Sequence, residues 1–210
     1  MLTTSPFGVT VGFQLPDENW TERVRQALPA SWQFSLTETP DYYFTLEEYG
    51  SDHYLWRLGS QQLSSTSVAE SLKLLRQEVQ SSLSRFSLKY LFLRGTVLQQ
   101  GTRTILLTGA TEDSGLLALA QDGLLRAFEE PQLPLQIYAM VRVERGAAAS
   151  LEPTSPAQLA GQLFQESPTP LREIGDWLKV IADMARTLPC YRWTISRNQS
   201  LSDLPILAAT

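Results

Sequence analysis

Residues 109–115 form the one stretch of this 210-residue chain whose residue types and spacing could hold a phosphate group. They follow a short apolar run and precede a segment with helical spacing, where a Walker phosphate loop is found. Such a loop is a glycine, four residues, a second glycine, a lysine that reaches the terminal phosphates, and a serine or threonine. Counted from Gly109, the last three places hold Ser114, Gly115 and Leu116. The lysine and the magnesium-binding hydroxyl are therefore missing.

A one-residue shift of the alignment does not restore the loop. Gly115 then takes the place of the second glycine, but Leu116 stands where the lysine belongs. Glu112 and Asp113 also add two negative charges where a polyphosphate would have to lie, and like charges repel in a partly dehydrated loop. The segment favours loss of phosphoryl-transfer chemistry, and we assign it no catalytic residue.

Two interpretations of the loop remain open. In the first it is a structural turn, in which Glu112 and Asp113 complement a helix dipole and Ser114 caps the helix. In the second it still binds a nucleotide, and Arg94 or Arg103 from a neighbouring strand replaces the lysine. The residues that would then supply backbone and hydroxyl contacts are Gly109, Thr111, Ser114 and Gly115.

Other reactive side chains are few. The single histidine, His53, lies in an aromatic run, and it does not make a nucleophilic dyad with the single cysteine, Cys190. One histidine and one cysteine leave little material for a zinc site. We therefore expect no metal and no cofactor.

The spacing of apolar residues around the loop predicts an α/β arrangement. Residues 90–98 and 103–108 are short apolar runs joined by a tight turn, which predicts a hairpin of two central strands. Apolar residues recur on one helical stripe over 116–128, which predicts a helix after the loop. The other elements predicted here are strands at 133–143 and 191–195 and helices at 155–166 and 169–187.

The first quarter of the chain is predicted to be a small sheet with one helix. Asp17 is placed to cap that helix, which would bury Trp20. A long amphipathic helix is predicted at Val68–Phe86, with Ser67 and Glu70 spaced as a capping box. The strands expected from alternation lie at 7–15, 32–36, 42–46 and 53–58.

Composition and charge indicate which partners and which cellular compartment to expect. The chain has 17 basic and 22 acidic residues, a net charge of −5, and no basic run, so nucleic acid is not expected as a partner. One cysteine is typical of a reducing compartment. The sequence also has no signal peptide and no apolar run long enough to span a bilayer, so we expect a cytoplasmic protein.

Eleven of the twenty aromatic residues lie before Gly59. Some must fill a core, but a small sheet is not expected to bury all of them, and exposed aromatics are typical of partner surfaces. This concentration predicts a protein interface, whose candidate residues are Trp20, Trp32, Tyr42, Tyr43, Tyr49, Tyr54 and Trp56.

Three stretches resemble the HPr serine kinase/phosphorylase group and the smaller HPr-kinase-related proteins. In that family a helix leads to a strand, a hairpin and a second strand that enters the phosphate loop, and LKYLFLRGTVLQQGTRTILLTG, after the helix predicted at Val68–Phe86, resembles these strands. LPLQIYAMVRVERGAAASLEPTSPAQLAGQLF and LREIGDWLKVIADMARTLPCYRWTIS resemble its later strand, closing helix and last strand. The resemblance implies a mixed sheet flanked by helices, the PEP-carboxykinase-like phosphate-loop fold, with a small N-terminal sheet subregion. It implies one domain over 1–198, with the subregion at 1–60 and a core at 61–198. The residues after Asn198 are polar and then weakly apolar with no strong period, which predicts a flexible tail at 199–210.

Active members of that family also carry acidic residues on strands after the phosphate-loop helix. Here only residues 129–132 separate that predicted helix from the next strand, so the acidic segment is missing along with the lysine. Positioning and charge stabilisation make up most of phosphoryl-transfer catalysis. We therefore expect a catalytically inactive domain that binds another protein as a scaffold, adaptor or assembly factor. A nucleotide-binding protein or phosphotransferase with a non-standard loop is the alternative, and a homo-oligomer is left open.

Overall fold

The computed structural model describes residues 1–36, 39–50, 53–109, 115–167, 174–196 and 199–205. In these residues four α-helices flank two mixed β-sheets, which confirms the predicted α/β class. The chain divides into two compact units, Met1–Lys89 with Glu129–Pro131, and Tyr90–Phe128 with Gln132–Thr210. The division follows Lys89, whereas the N-terminal subregion was predicted to end at residue 60.

The sheet of the first unit has six strands. They are β1 (Leu2–Thr4), β2 (Val11–Gln14), β3 (Phe34–Ser35), β4 (Tyr42–Tyr49), β5 (His53–Leu58) and β6 (Gln61–Ser65). Their order across the sheet is β3-β1-β2-β4-β5-β6. β2 and β4 run parallel, and the other neighbours run antiparallel.

Two helices, α1 (Glu18–Ala27) and α2 (Val68–Phe86), pack with this sheet, and both begin where the sequence predicted. The Asp17 carboxylate accepts a hydrogen bond from the Trp20 amide at 2.8 Å. The Ser67 hydroxyl accepts one from the Glu70 amide at 3.2 Å. Each cap satisfies a backbone donor that the first helical turn leaves unpaired.

Aromatic side chains fill the core of the first unit. Trp56 lies between α2 and the sheet, and its indole N–H donates to Ser71 Oγ at 2.8 Å. The rings of Trp20 and Phe44 meet Trp56 edge-on, with centroids 6.4 and 6.5 Å away. Edge-on contacts of this kind add to the stabilisation from burial alone.

The sheet of the second unit has eight strands. They are β7 (Tyr90–Gln100), β8 (Arg103–Gly109), β9 (Gly115–Ala120), β10 (Leu125–Ala127), β11 (Glu130–Leu135), β12 (Ile137–Arg145), β13 (Ser150–Pro153) and β14 (Cys190–Ile195). Their order is β11-β10-β9-β7-β8-β12-β14-β13. β8, β12 and β14 run parallel, and the predicted hairpin β7–β8 is confirmed at the centre of the sheet.

Helices α3 (Pro156–Gln165) and α4 (Ile174–Thr187) cover one face of this sheet. Both confirm predicted helices, although the predicted start of the second falls outside the described residues. Trp177 and Ile181 of α4 pack with Leu106 and Met140 of the sheet. On the opposite face, Val141 belongs to a second cluster of buried side chains.

The helix predicted at 116–128 is wrong, because this segment forms β9, a turn and β10. β9 lies between β7 and β10 and is largely buried, so its residues GLLALA are apolar on both faces. A short run that is apolar throughout does not distinguish a strand from a helix. Gly123, with φ +82°, lies in the turn that joins the two strands.

The strand predicted at 133–143 is in fact parts of two strands, β11 and β12, which lie far apart in the sheet. Strands β1, β6 and β13 were not predicted, and the strand predicted at 7–15 is present only as β2. In the predicted tail, residues up to 205 are described, and Leu204 is buried against the second unit's core. No helix in the described part of the chain is long and apolar enough to cross a membrane.

Candidate functional site

Gly109 ends β8 at the point where a phosphate loop would begin. Its φ is +92°, and a Cβ added there would lie 2.5 Å from the carbonyl oxygen of Val143 on β12. Real Cβ atoms do not approach a backbone oxygen this closely, and L side chains rarely adopt this φ. The packing of β8 against β12 therefore explains Gly109 without any ligand.

The rest of the predicted loop is described only at Gly115. Thr111, Glu112, Asp113 and Ser114 lie outside the described residues. Gly115 begins β9 and pairs with Gly95 of β7, so the chain enters a strand where a phosphate loop enters a helix. A phosphate loop depends on the free N–H groups and positive dipole end of that helix. β9 supplies neither.

A cation that the sequence did not indicate lies beside Gly109. The Cγ of Arg142 on β12 is 3.5 Å from the position of a Cβ at Gly109. The parallel pairing of β8 with β12 brings Arg142 opposite Thr108, and nothing in the sequence pattern specified this pairing. Of the two arginines considered from the sequence, Arg94 lies opposite Leu116 in the β7–β9 pair, and Arg103 lies at the other end of β8.

Arg142 is already engaged by two carboxylates. Its Nε lies 2.9 Å from Glu144 Oε1, and its Nη1 lies 2.8 Å from Glu166 Oε1. Burial disfavours its charge, but the hydrogen bonds to Glu144 and Glu166 outweigh burial and raise the pKa of Arg142. One cation held by two carboxylates leaves this cluster with a net negative charge at neutral pH.

Arg103 lies at the other end of β8, where its guanidinium stacks 4.4 Å from the ring centroid of Tyr138. There it contributes to an open cleft of about 760 Å³ at the amino ends of β8 and β12. Arg103 is the one charged residue among those that line this cleft; the others are apolar, amide or hydroxyl residues such as Gln136 and Thr187. Arg94 is an exposed residue of β7, opposite Leu116.

The seven aromatic residues predicted as an interface separate into two groups. Trp20, Trp32, Tyr42 and Trp56 are core residues, each at most 9% exposed. They hold the first unit together and offer little area to a partner. Tyr54 is partly buried, while Tyr43 and Tyr49 on β4 are exposed at 52% and 54%.

Side chains alternate between the two faces of β4. Tyr43 and Tyr49 lie on the outer face, and Phe44 lies on the buried face. Between them along the strand, Glu47 forms a bidentate ion pair with Arg57 of β5, with contacts of 2.8 and 3.0 Å. The Tyr49 hydroxyl also donates to Glu47. Hydrogen bonds from Arg57 and then Tyr49 hold the pKa of the Glu47 carboxyl below its usual value. We call these four residues, Tyr43, Glu47, Tyr49 and Arg57, the outer patch.

The outer patch has the residue types and the preformed side-chain contacts that are typical of protein-binding surfaces. Tyrosine and arginine are enriched among the residues that dominate the energy of protein interfaces. Because Glu47 already holds Arg57 and Tyr49, less side-chain entropy remains to be lost when a partner binds. The sequence identified the two tyrosines but not the charged pair, since only the β4–β5 register brings it together.

His53 and Cys190 belong to different units. His53 is an exposed residue of β5, and the thiol of Cys190 is buried near the carbonyl oxygens of Ala185 and Leu188, at 3.2 and 3.3 Å. Burial raises the pKa of Cys190, which disfavours the thiolate form that nucleophilic attack requires. Among the described residues, no three His, Cys, Asp or Glu side chains cluster closely enough to hold a metal ion.

Comparison with models of known protein families and with curated proteins finds no match to this chain.

Proposed function

We propose that this chain acts by binding another protein, as a scaffold, adaptor or assembly factor, and that the outer patch is where it binds. The observation that carries the proposal is the placement of two tyrosines, each more than half exposed, on either side of an ordered Glu47–Arg57 pair. Large aromatics that remain accessible beside an arginine favour a partner surface.

The proposal includes a relation to the HPr-kinase group without its chemistry. The relation is supported by the order of α2, β7 and β8, which is the order that the resemblance implies. Loss of phosphate binding is supported by β9, which replaces the expected helix, and by Arg142, whose charge is taken up by Glu144 and Glu166.

The test is capture of partners with the outer patch intact and disrupted. A tagged chain and its Tyr43→Ser/Tyr49→Ser variant are exposed to an extract of the source cells, and bound proteins are quantified by mass spectrometry. Truncating two interface anchors is expected to cost about 2 kcal/mol or more, so the affinity of the specific partner should fall at least about thirtyfold. The purified partner is then titrated against both chains to measure that ratio.

Leu133→Ser provides a matched control, because Leu133 is an apolar residue 57% exposed on β11, in the second unit. This variant should retain the partner. Equal binding by the wild type and the double tyrosine variant would refute the assignment of the patch. Equal loss in the Leu133→Ser variant would show that exposed apolar area in general, and not this patch, drives capture.

The second candidate function is nucleotide binding through a non-standard loop, and the position of Arg142 beside Gly109 favours it. In this case Arg142 would leave its carboxylates to contact a phosphate. Arg142→Gln separates the two functions, since it would abolish nucleotide binding but leave partner capture by the outer patch unchanged.

A further inference from the structure

Strand β6 is an unprotected sheet edge, and the other edges of the two described sheets are protected. Exposed edges are normally blocked by prolines, charges or very short strands. β11 contains Pro131 and Pro134, β3 has only two residues, and β13 ends at Pro153 after an ion pair between Glu152 and Arg192. β6 has the sequence QQLSS, with neither proline nor charge.

The register of the β5–β6 hairpin shows which backbone groups face outward. Leu58 and Gln61 pair across the two-residue turn of Gly59 and Ser60, so they form a hydrogen-bonded pair. Alternation then directs the N–H and C=O groups of residues 61, 63 and 65 toward β5. Those of Gln62 and Ser64 point away from the sheet, and both residues are exposed.

We propose that β6 pairs with β6 of a second copy of this chain, in an antiparallel arrangement with its two-fold axis at Leu63. Gln62 of each copy then lies opposite Ser64 of the other, and each such pair exchanges two backbone hydrogen bonds. Leu63 faces its own equivalent across a non-hydrogen-bonded pair, where side chains approach most closely.

A second copy fits this edge because the edge is complementary to itself. Gln62 and Ser64 are neutral, so the two-fold arrangement opposes no like charges. Leu63 is only partly buried in one copy, and pairing with its equivalent covers apolar surface that is otherwise in contact with water. The paired sheets would contain twelve strands and would join the outer patches of two copies on one surface.

The mass of the intact chain in solution is the first test. Sedimentation over a range of concentrations is expected to show a rise from 23.5 kDa toward twice that mass. Gln62→Pro removes an outward donor while leaving the ladder to β5 untouched, and it should be monomeric with an unchanged circular dichroism spectrum. A wild type that stays monomeric at every concentration, or a dimer that survives in a folded Gln62→Pro variant, overturns the proposal.

A cross-linking pair of variants tests the register without relying on the fold of the proline variant. Opposed residues of an antiparallel pair have Cα atoms about 4.5 to 5.5 Å apart, within reach of a disulfide. Leu63→Cys should therefore form a disulfide-linked dimer on mild oxidation. Gln61→Cys should not, because the two copies of residue 61 lie about four residues apart along the strands, or roughly 14 Å. Equal cross-linking of both variants, or of neither, overturns the proposed pairing.

Discussion

At Gly109 the backbone and a neighbouring strand both exclude a side chain. The positive φ favours glycine, and the Val143 carbonyl oxygen occupies the space that a Cβ would need. In a phosphate loop a glycine is required so that a ligand can approach the backbone. At Gly109 the group that approaches is the carbonyl oxygen of a neighbouring strand, so strand packing, and not a ligand, requires glycine at this position.

Gly109→Ala should lower the free energy of unfolding by at least about 2 kcal/mol, because it combines the cost of a left-handed backbone with a clash against Val143. Two other glycines separate these causes. Gly101→Ala, at φ +63° with open space around it, should show only the backbone cost of about 1 kcal/mol. In Gly115→Ala the new Cβ would have no atom of the described residues closer than 3.8 Å, so this variant should be nearly neutral. Urea unfolding measures all three, and equal effects at the three positions would contradict this account.

Tyr42 is a buried tyrosine whose hydroxyl has no well-formed hydrogen bond among the described residues. Burial raises its pKa far above the usual value, the Glu78 carboxylate raises it further, and the Ser82 hydroxyl offsets only part of this rise. The folded protein therefore holds the Tyr42 proton more tightly than the unfolded chain does.

This difference predicts a loss of stability at high pH. Below the unfolded pKa of about 10 both states are protonated and stability is unaffected; above it the unfolded chain releases the proton first. The free energy of unfolding should fall by up to about 1.4 kcal/mol per pH unit from this residue. Tyr42→Phe should remove this slope between about pH 10 and pH 12, with little change near neutral pH. Tyr43→Phe, at an exposed position, should keep the wild-type slope, and a shared slope in all three proteins would refute the assignment.

Among the elements, β9 has the largest consequence for function. A helix after the loop would direct N–H groups toward a phosphate, whereas a strand uses its N–H groups in the sheet. β9 bonds to β7 on one side and to β10 on the other. The backbone donors of β9 are thus committed to the sheet, whereas a helix at this position would direct its first N–H groups at a phosphate.

Cross-linking can verify the strand directly. Arg94 and Leu116 lie directly opposite each other in the β7–β9 pair. Arg94→Cys with Leu116→Cys should therefore oxidise readily to a disulfide, since opposed residues are within bonding reach. Arg94→Cys with Asp122→Cys, whose second residue lies in the turn after β9, is the control and should stay reduced. If both pairs oxidise at the same rate, β9 is not paired as described.

The sequence predicted the elements whose local signals are strong. Helices α1 and α2 have caps at Asp17 and Ser67 and one apolar face each, and the β7–β8 hairpin has a turn between two apolar runs. It failed at residues 116–128, where burial on both faces removes the period that tells a strand from a helix. The Glu47–Arg57 and Arg142–Glu166 pairs could not be predicted either, because each depends on a contact between elements that sequence periodicity does not encode.

At the scale of the whole molecule, the functional features are distributed between the two units. The first unit carries the outer patch and the open edge of β6, and both suit contact with proteins. The second unit carries the end of β8, where the sequence placed a phosphate loop. The account therefore requires that protein binding belong to the first unit and that the second unit not respond to nucleotide.

The most direct measurement of this claim is the thermal stability of the intact chain with and without Mg-ATP. We expect the same unfolding temperature at every nucleotide concentration, because β9 pairs with a strand on each side and Arg142 remains with Glu144 and Glu166. A nucleotide that bound the folded chain at a hundred times its dissociation constant would add about 2.7 kcal/mol, or roughly 5 to 10 °C for a chain of this size. A shift of that kind, abolished by Arg142→Gln, would contradict the account.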